Sequence, residues 1–362
     1  MHKGNVLISG ASFAGLATAY WMNRAGYDVT VVETASALRE GGTPVNIKGH
    51  TVDIAKRMGL FDRIVANRIT TNIVEVWGPE GLIDRSDTQS TPEQDAEGVE
   101  YEIERDLLTH LMFDLVKDDV KVIFNDSIAG LQEQADGVDV DLSTGARRTF
   151  GLIFGCDGIH SNVRSRWFGV EAAYSHFLKT YGSVTIVPRL LIEQNSLVMY
   201  QAPGQSIILS AYHGKTDIIT LFSSDDRIEY DYYNRAQKVA ILSARYKGAG
   251  WRVSELLGEI DQADNLYFSE LAQIKMPTWT KGRVALVGDA AYCASPAAGM
   301  GGSLAIDGAA ALGVAFADGG GDYVAAFRKY NEGFRPFVEQ VQAAAVGFCK
   351  QIAVGATAEE PK

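Results

Sequence analysis

The stretch from Asn5 to Glu33 restricts the possible folds of this chain more than any other. Asn5-Val6-Leu7-Ile8-Ser9 is a short apolar run of strand type, and the residues from Ala14 to Ala25 carry Leu16, Ala19, Tyr20 and Met22 near helical spacing. Asp28-Val29-Thr30-Val31-Val32 follows as a β-branched strand. Gly10-Ala11-Ser12-Phe13-Ala14-Gly15 lies between the first strand and the helix, so the pattern is a βαβ unit with a glycine turn at its first corner. Gly10 permits the tight turn, and Gly15 lets the helix pack close to the strand. The free N–H groups at the helix start, from Ser12, Phe13 and Ala14, then suit a pyrophosphate. Ser12 replaces the usual second glycine and is small enough for the backbone to approach a phosphate. Glu33, followed by Thr34, ends the second strand, where a carboxylate can accept hydrogen bonds from ribose hydroxyls. A glycine-lined corner without a ligand is the competing reading, and Glu33 tells against it.

Two distant segments support the same reading. Cys156-Asp157-Gly158-Ile159-His160-Ser161-Asn162-Val163-Arg164 sets an acid beside a glycine just after an apolar strand. Val284-Ala285-Leu286-Val287 is a continuous apolar run, as expected of a central parallel strand buried on both faces. Asp289 falls at its carboxyl end, where open α/β sheets bind ligands and a carboxylate can hold polyol hydroxyls. Pro296 and Gly299-Met300-Gly301-Gly302-Ser303 then lead into the helix Leu304 to Ala310, whose N-terminus carries partial positive charge. Glycines at that point let the backbone approach a flat ring closely. Glycine serving only as helix punctuation, and surface ion pairs for Asp157, Arg164 and Asp289, are the competing readings.

Composition narrows the class. A chain of 362 residues with 46 % hydrophobic content can bury the core of two domains or one elaborate one. The net charge of −12 argues against nucleic acid, whose phosphates call for clustered cations. Cys156, Cys293 and Cys349 are few, odd in number and without metal-ligand spacing, so no metal is expected and a reducing, cytoplasmic setting is. The N-terminal apolar run belongs to the βαβ unit rather than to a signal peptide. No uncharged apolar run reaches the ~18 residues of a membrane span.

Further along, His50 to Ala66 reads as helical, Val74–Pro79 with Gly81–Asp84 as a hairpin, and Ser86 to Gly98 as a polar surface loop. A helix opening at Ile103–Arg105 runs to about Lys117. Lys121–Asn125, Ile128–Gln134, Val138–Leu142 and Leu152–Gly155 read as strands, as do Ser183–Val187, Leu197–Gln201, Ser206–Tyr212 and Asp217–Ser223. Tyr232 to Leu257 reads as helical, and helices close the chain before a tail from Gly355 to Lys362.

As a set, GASFAG with Glu33, CDGIHSNVR and GDAAYCASPAAGMGG resemble the fingerprints of class A FAD-dependent aromatic monooxygenases, the para-hydroxybenzoate hydroxylase type, over about residues 5–340. Arg39-Glu40-Gly41-Gly42-Thr43-Pro44-Val45-Asn46-Ile47-Lys48-Gly49 is similar to the matching stretch of the tetracycline-inactivating monooxygenases in that superfamily. The resemblance implies an α/β fold. A Rossmann-type FAD-binding domain (1–75, 100–172 and 275–320) is interleaved with a smaller β-sheet substrate domain (76–99 and 173–274), followed by a C-terminal helix (321–354) and a tail (355–362). It implies FAD held by Gly10, Ser12, Phe13, Ala14, Gly15, Glu33, Thr34 and Arg39, with Arg105 opening a helix against the cofactor. Asp157 and Gly158 are expected near both FAD and a passing nicotinamide nucleotide, Asp289 at the ribityl or ribose region, Pro296 along the flavin, and Gly299, Met300, Gly301, Gly302 and Ser303 around it. NADPH or NADH would reduce FAD as a transient co-substrate, because no second GxGxxG marks a nicotinamide domain. O2 would then add to the reduced ring, and a flavin hydroperoxide would hydroxylate, or insert oxygen into, an aromatic or polycyclic small molecule. A FAD-dependent reductase or dehydrogenase without oxygen transfer is the alternative. Tyr200, Tyr212, His213 and Phe222 are substrate-side candidates, with ordinary core as their competing role, and no catalytic side chain is assigned. Tyr292, Met300 and Ser303 depart from the family's usual His, Gln and Asn, and Val45 stands where the tetracycline-inactivating enzymes carry a polar residue.

Overall fold

The glycine-cornered start forms as β1 (Asn5–Ser9), α1 (Phe13–Arg24) and β2 (Asp28–Glu33) in the computed structural model, which describes residues 3–87 and 100–354. Next come β3 (Val45–Ile47), α2 (His50–Met58), α3 (Phe61–Ala66), β4 (Ile73–Gly78) and β5 (Gly81–Asp87). β6 (Tyr101–Ile103), α4 (Arg105–Asp114), β7 (Lys121–Phe124), β8 (Ile128–Glu133), β9 (Val138–Leu142), β10 (Arg147–Phe150), β11 (Leu152–Gly155) and α5 (Asn162–Trp167) follow. The middle of the chain supplies β12 (Ser175–Val187), β13 (Ser196–Ala202), β14 (Gln205–Tyr212), β15 (Lys215–Ser223), α6 (Arg235–Arg245), α7 (Val253–Gln262) and β16 (Tyr267–Ile274). The last elements are β17 (Thr280–Lys281), β18 (Val284–Leu286), α8 (Asp289–Tyr292), α9 (Gly301–Asp318) and α10 (Tyr323–Val354).

These elements divide into two compact units. One comprises Met1–Arg68, Glu100–His176 and Ala272–Ala343; the other comprises Ile69–Val99, Phe177–Leu271 and Ala344–Lys362. The first holds a six-stranded sheet in the order β17-β18-β11-β1-β2-β7, parallel except for β17. Val6, Leu7 and Ile8 are completely buried, as a strand flanked on both edges and covered on both faces requires. The antiparallel sheet β10-β9-β8 and the pair β3-β6 complete this unit. The second unit is built on a seven-stranded sheet, β16-β12-β15-β14-β13-β4-β5. Its core packs Tyr181, Tyr200, Ile207, Leu209, Ile218 and Phe222 with Leu242 of α6 and Leu256 of α7.

Several boundaries differ from expectation, each for a local reason. The helix expected over His50–Ala66 breaks at Gly59, which caps α2 with φ 73° in the left-handed region. The helix expected over Tyr232–Leu257 is two, parted by a turn in which Gly248 and Trp251 both have positive φ. Tyr101–Ile103 is a strand, so the next helix starts at Arg105 and ends at Asp114. Arg147–Phe150 is a strand that the charged pair Arg147-Arg148 disguised. β18 is buried, but only its β11 side is parallel, because β17 runs antiparallel on the other. The polar loop expected up to Gly98 falls largely on 88–99, and the tail on 355–362, both outside the described residues.

Candidate functional site

The first corner is as tight as packing allows. A Cβ on Gly10 (φ 104°) would lie 2.5 Å from the Cys156 carbonyl oxygen, and one on Gly15 only 1.8 Å from the Gly10 carbonyl oxygen. Strand, turn and helix therefore share contacts that no side chain at either position permits. Glu33 is buried and anchors the turn: its Oε2 accepts from the Ala11 N–H (2.8 Å), and its Oε1 from the Ala35 N–H (2.9 Å) and the Thr34 hydroxyl (3.2 Å). The exposed Arg39 places Nε 3.8 Å from Oε1. Part of the carboxylate that was expected to face ribose is thus occupied by the protein itself, and Ala11 is a contributor that motif reading missed. Ser12 is the N-cap of α1 but makes no side-chain cap, and Phe13, Ala14 and Gly15 form the buried first turn.

A second group of residues gathers on Phe13. The Arg105 guanidinium, at the start of α4, lies 5.5 Å over the Phe13 ring, and a Cβ on Gly42 would come within 3.0 Å of the Arg105 side chain. The Gly41 N–H donates to Asp106 Oδ2 (2.9 Å), fixing the glycine loop to α4. A Cβ on Gly302 would touch both Phe13 and Val45 at 3.4 Å, while the Ser303 hydroxyl donates to the Asn46 carbonyl (2.7 Å). The 41–47 segment, the first turn of α1, Arg105 and the start of α9 therefore meet in one place.

Asp289 belongs to the same place. It opens α8 behind Gly288, whose φ of 67° brings its Cα so close to Ala14 that a Cβ would sit 2.8 Å away. The Asp289 side chain is recessed among protein groups yet open to solvent on one side. That recess pushes its carboxyl up, while the Cys293 thiol and the Arg105 charge oppose the rise. Beyond it, Pro296–Ala298 forms a single 3-10 turn, Gly299 (φ 61°) closes that turn, and Met300 is the N-cap of α9. A Cβ at Gly301 would meet nothing within 4 Å, so its outer side is open.

Asp157 and Arg164 serve the scaffold around this site. Asp157 Oδ2 accepts from the Val163 N–H (3.0 Å), and Oδ1 accepts from the Ser161 hydroxyl, which together cap α5. Burial raises the Asp157 carboxyl pKa, and the Ser161 bond pulls it back. Arg164 is fully buried and donates to the carbonyls of Ala290 (2.9 Å) and Ile159 and to Glu171 Oε2 (2.8 Å). It thereby ties α5 to α8, which carries Asp289. Gly158 has φ 82° and nothing within 4 Å of its missing side chain. Tyr292, where histidine was the family habit, is buried, meets the Tyr330 hydroxyl at 3.1 Å and fits only because residue 308 is glycine.

The aromatic substrate-side candidates are not gathered in one place. Tyr200 stacks on Trp251 with centroids 5.4 Å apart, and Phe222 stacks on Tyr181 at 5.5 Å, both inside the second unit's core. Tyr212 is buried and donates to Asp217 Oδ2 (2.9 Å). His213 is exposed in the β14–β15 turn with φ 46°.

The sequence matches the family described as FAD binding domain across residues 3–345. The chain belongs to that family. An uncharacterized Mycobacterium tuberculosis protein is 36 % identical over 339 residues, 93 % of this chain and 91 % of that one. A flavin-dependent monooxygenase from an unknown prokaryotic organism is 33 % identical over 349 residues, 93 % and 87 % of the two chains. The crystal structure of tetracycline destructase Tet(55) superposes with a TM-score of 0.87 at 30 % identity, covering 99 % of this chain and 92 % of that one. The flavoprotein is thus a member of the para-hydroxybenzoate hydroxylase-like monooxygenases, with FAD as its cofactor. Among the described residues, no helix is long and apolar enough to cross a membrane.

Asp289→Ala tests the recessed carboxylate directly. Losing a charged acceptor and leaving its donors unpaired costs about 1–3 kcal/mol, hence roughly 5- to 150-fold in FAD affinity. Fluorescence titration of the apoprotein with FAD measures it, and an unchanged affinity in a folded variant removes Asp289 from the site.

Proposed function

We propose that this protein is an NAD(P)H-dependent monooxygenase that hydroxylates, or inserts oxygen into, a small aromatic or polycyclic compound. The observation that carries the reading is the meeting of α1, Arg105, Asp289 and the start of α9 around an open-sided glycine cradle. The cradle fits a flavin dinucleotide: Gly10, Gly15 and Gly288 stand where a Cβ would collide, the outer side of Gly301 is open, and Asp289 keeps a solvent-facing carboxylate. In this reading the first turn of α1 holds the pyrophosphate through its N–H groups, and Glu33, Thr34 and Arg39 hold the adenosine side. Arg105 adds positive charge, and Asp289 accepts from the sugar chain. Pro296, Gly299, Met300, Gly301, Gly302 and Ser303 surround the ring, where the N–H groups at the start of α9 favour negative charge. Asp157 and Gly158 flank the docking place of the nicotinamide nucleotide.

Bound FAD supplies hydride acceptance and the activation of O2, for which the protein provides orientation and electrostatics. In this reading Val45, half-buried beside Gly302, helps to keep water from the ring's surroundings. The substrate side is assigned to the sheet face opposite Tyr200 and Phe222. Strand alternation puts Leu197, Met199, Ile208 and Ile219 there, all half-buried. The names of the similar monooxygenase and tetracycline destructase support small-molecule oxygenation.

The test uses a compound panel, with stimulated NADH or NADPH oxidation as the screen and ¹⁸O₂ with mass spectrometry on the hits. One labelled oxygen in the product is the expected result. Product formed without label, at normal rate under anaerobic conditions, overturns the reading in favour of a reductase or dehydrogenase.

A further inference from the structure

Two glutamines lie in the core of the first unit where packing alone would favour apolar side chains. Gln273 is completely buried on β16, and Gln342 nearly so on α10. Burying a primary amide is costly unless its hydrogens are used, and here they are used on backbone carbonyls, three of which belong to Tyr292, Cys293 and Ala294. Gln342 Nε2 lies 3.3 Å from the Cys293 carbonyl, 3.5 Å from that of Tyr292 and 2.9 Å from that of Ile274. Gln273 Nε2 donates to the Ala294 carbonyl (3.2 Å) and to the Gln342 carbonyl (2.8 Å), locking the two glutamines together. The chain leaves α8 after a single turn, so these buried carbonyls have no helical continuation to serve them; the Ile274 N–H reaches the Cys293 carbonyl (3.0 Å), and the two glutamine amides supply the side-chain donors.

The next residue is strained. Ser295 has φ 80° and ψ 148°, a region of backbone space that non-glycine residues seldom occupy and that persists only when surroundings enforce it. It is buried, its carbonyl accepts from the Ala298 N–H (3.0 Å), and its hydroxyl accepts from the Ala297 N–H (3.3 Å). The strained residue therefore aims the Pro296–Ala298 turn. Three to five residues upstream of the glutamine-held carbonyls lies Asp289, and just downstream, after Ser295, lies the turn that leads into Met300 and Gly301.

We propose that Gln273 and Gln342 are positioning residues for the cofactor. By holding the carbonyls of Tyr292, Cys293 and Ala294 they force Ser295 into its strained conformation and so set Asp289 and the Pro296–Gly299 turn against FAD. This inference depends only on FAD binding, so it stands or falls separately from the substrate and the hydride donor.

Three variants test it: Gln342→Met, which removes the donor at similar volume; Ser295→Gly, which relaxes the strain; and Ile64→Ala, a core control in α3 away from the segment. Melting temperature, FAD affinity of the apoprotein and the visible absorption and circular dichroism of bound flavin are measured for each. Gln342→Met is expected to bind FAD about tenfold more weakly, the scale of unpaired buried polar groups, and to shift the flavin spectrum. Ile64→Ala should lower the melting temperature without either change. Ser295→Gly should raise the melting temperature yet weaken FAD binding, because glycine removes the strain and frees the turn. In the Gln342→Met background it should restore thermal stability but not affinity. A folded Gln342→Met protein with FAD affinity within about twofold of the parent and an unaltered spectrum overturns the proposal, as does an equal affinity loss in Ile64→Ala. If Gln342→Met fails to fold, Ser295→Gly decides: unchanged affinity and spectrum in that variant overturn it.

Discussion

Gly15→Ala is expected to abolish FAD binding and most of the folded yield. The added Cβ would sit 1.8 Å from the Gly10 carbonyl oxygen, and the obstacle is backbone, not a side chain that can swing away. Relief requires α1 to withdraw from the turn, but α1 is held by the tightly packed α9, where Gly313 already accommodates Trp21. Overpacking a core typically costs 1–3 kcal/mol and occasionally more. A clash with a carbonyl at the centre of the unit belongs at the upper end, roughly 3 kcal/mol or above. Soluble expression and urea denaturation report the stability loss, and flavin retained after gel filtration reports the site. A soluble, yellow Gly15→Ala protein of parental stability contradicts the geometry at this corner.

Asp307→Asn is expected to stabilise the protein at alkaline pH and to lose that advantage in acid. Asp307 is buried on α9, its carboxyl pushed up to about 7 by burial, with nearby Thr51 pulling weakly the other way. Among the described residues, Asp307 Oδ1 and Thr51 Oγ1 find no hydrogen-bond partner of ordinary geometry. Between pH of about 4 and 7 the folded protein keeps a proton that the unfolded chain has released, so the unfolded state binds fewer protons and stability falls as pH rises through this window. Below it the favourable contribution is fully present; above it the curve is flat. Asparagine is neutral throughout, so the gain over the parent at pH 8 is on the order of 4 kcal/mol and shrinks toward pH 4. Urea midpoints at the two pH values measure it, and a gap that does not change with pH shows that Asp307 does not titrate in this range.

The βαβ start and β18 were legible because their signals are local: a short apolar run, a turn residue and a helical period within a few dozen positions. Arg105 and Asp289 were legible through motifs, and the structure brings both to the glycine cradle. The partners of Asp157 were less so. Its carboxylate caps α5 through Ser161 and Val163, a use the Asp-Gly pair does not announce. Tyr200 and Phe222 show a different limit. Alternation along β13 and β15 says that they share a face with their i+2 neighbours, but not which layer covers that face. The helices α6 and α7, encoded downstream, settle it. The helix breaks at Gly59 and Trp251 were hidden because the flanking periodicity continues across them. Gln273 and Gln342 carry no motif, since their acceptors are backbone atoms that any sequence would supply.

The strand order of the six-stranded sheet has a consequence for how the protein must be made. β11 pairs with β1 on one side and β18 on the other, yet β18 is encoded long after β11, with the Phe177–Leu271 segment of the second unit between them. While the ribosome is still translating that insert, the nascent sheet presents β11 with a bare apolar edge, a template for mispairing with other chains. Closing such distant contacts is slow. Amber truncations ending before Val284 should therefore accumulate in inclusion bodies, whereas supplying the missing C-terminal part in trans could seal the edge.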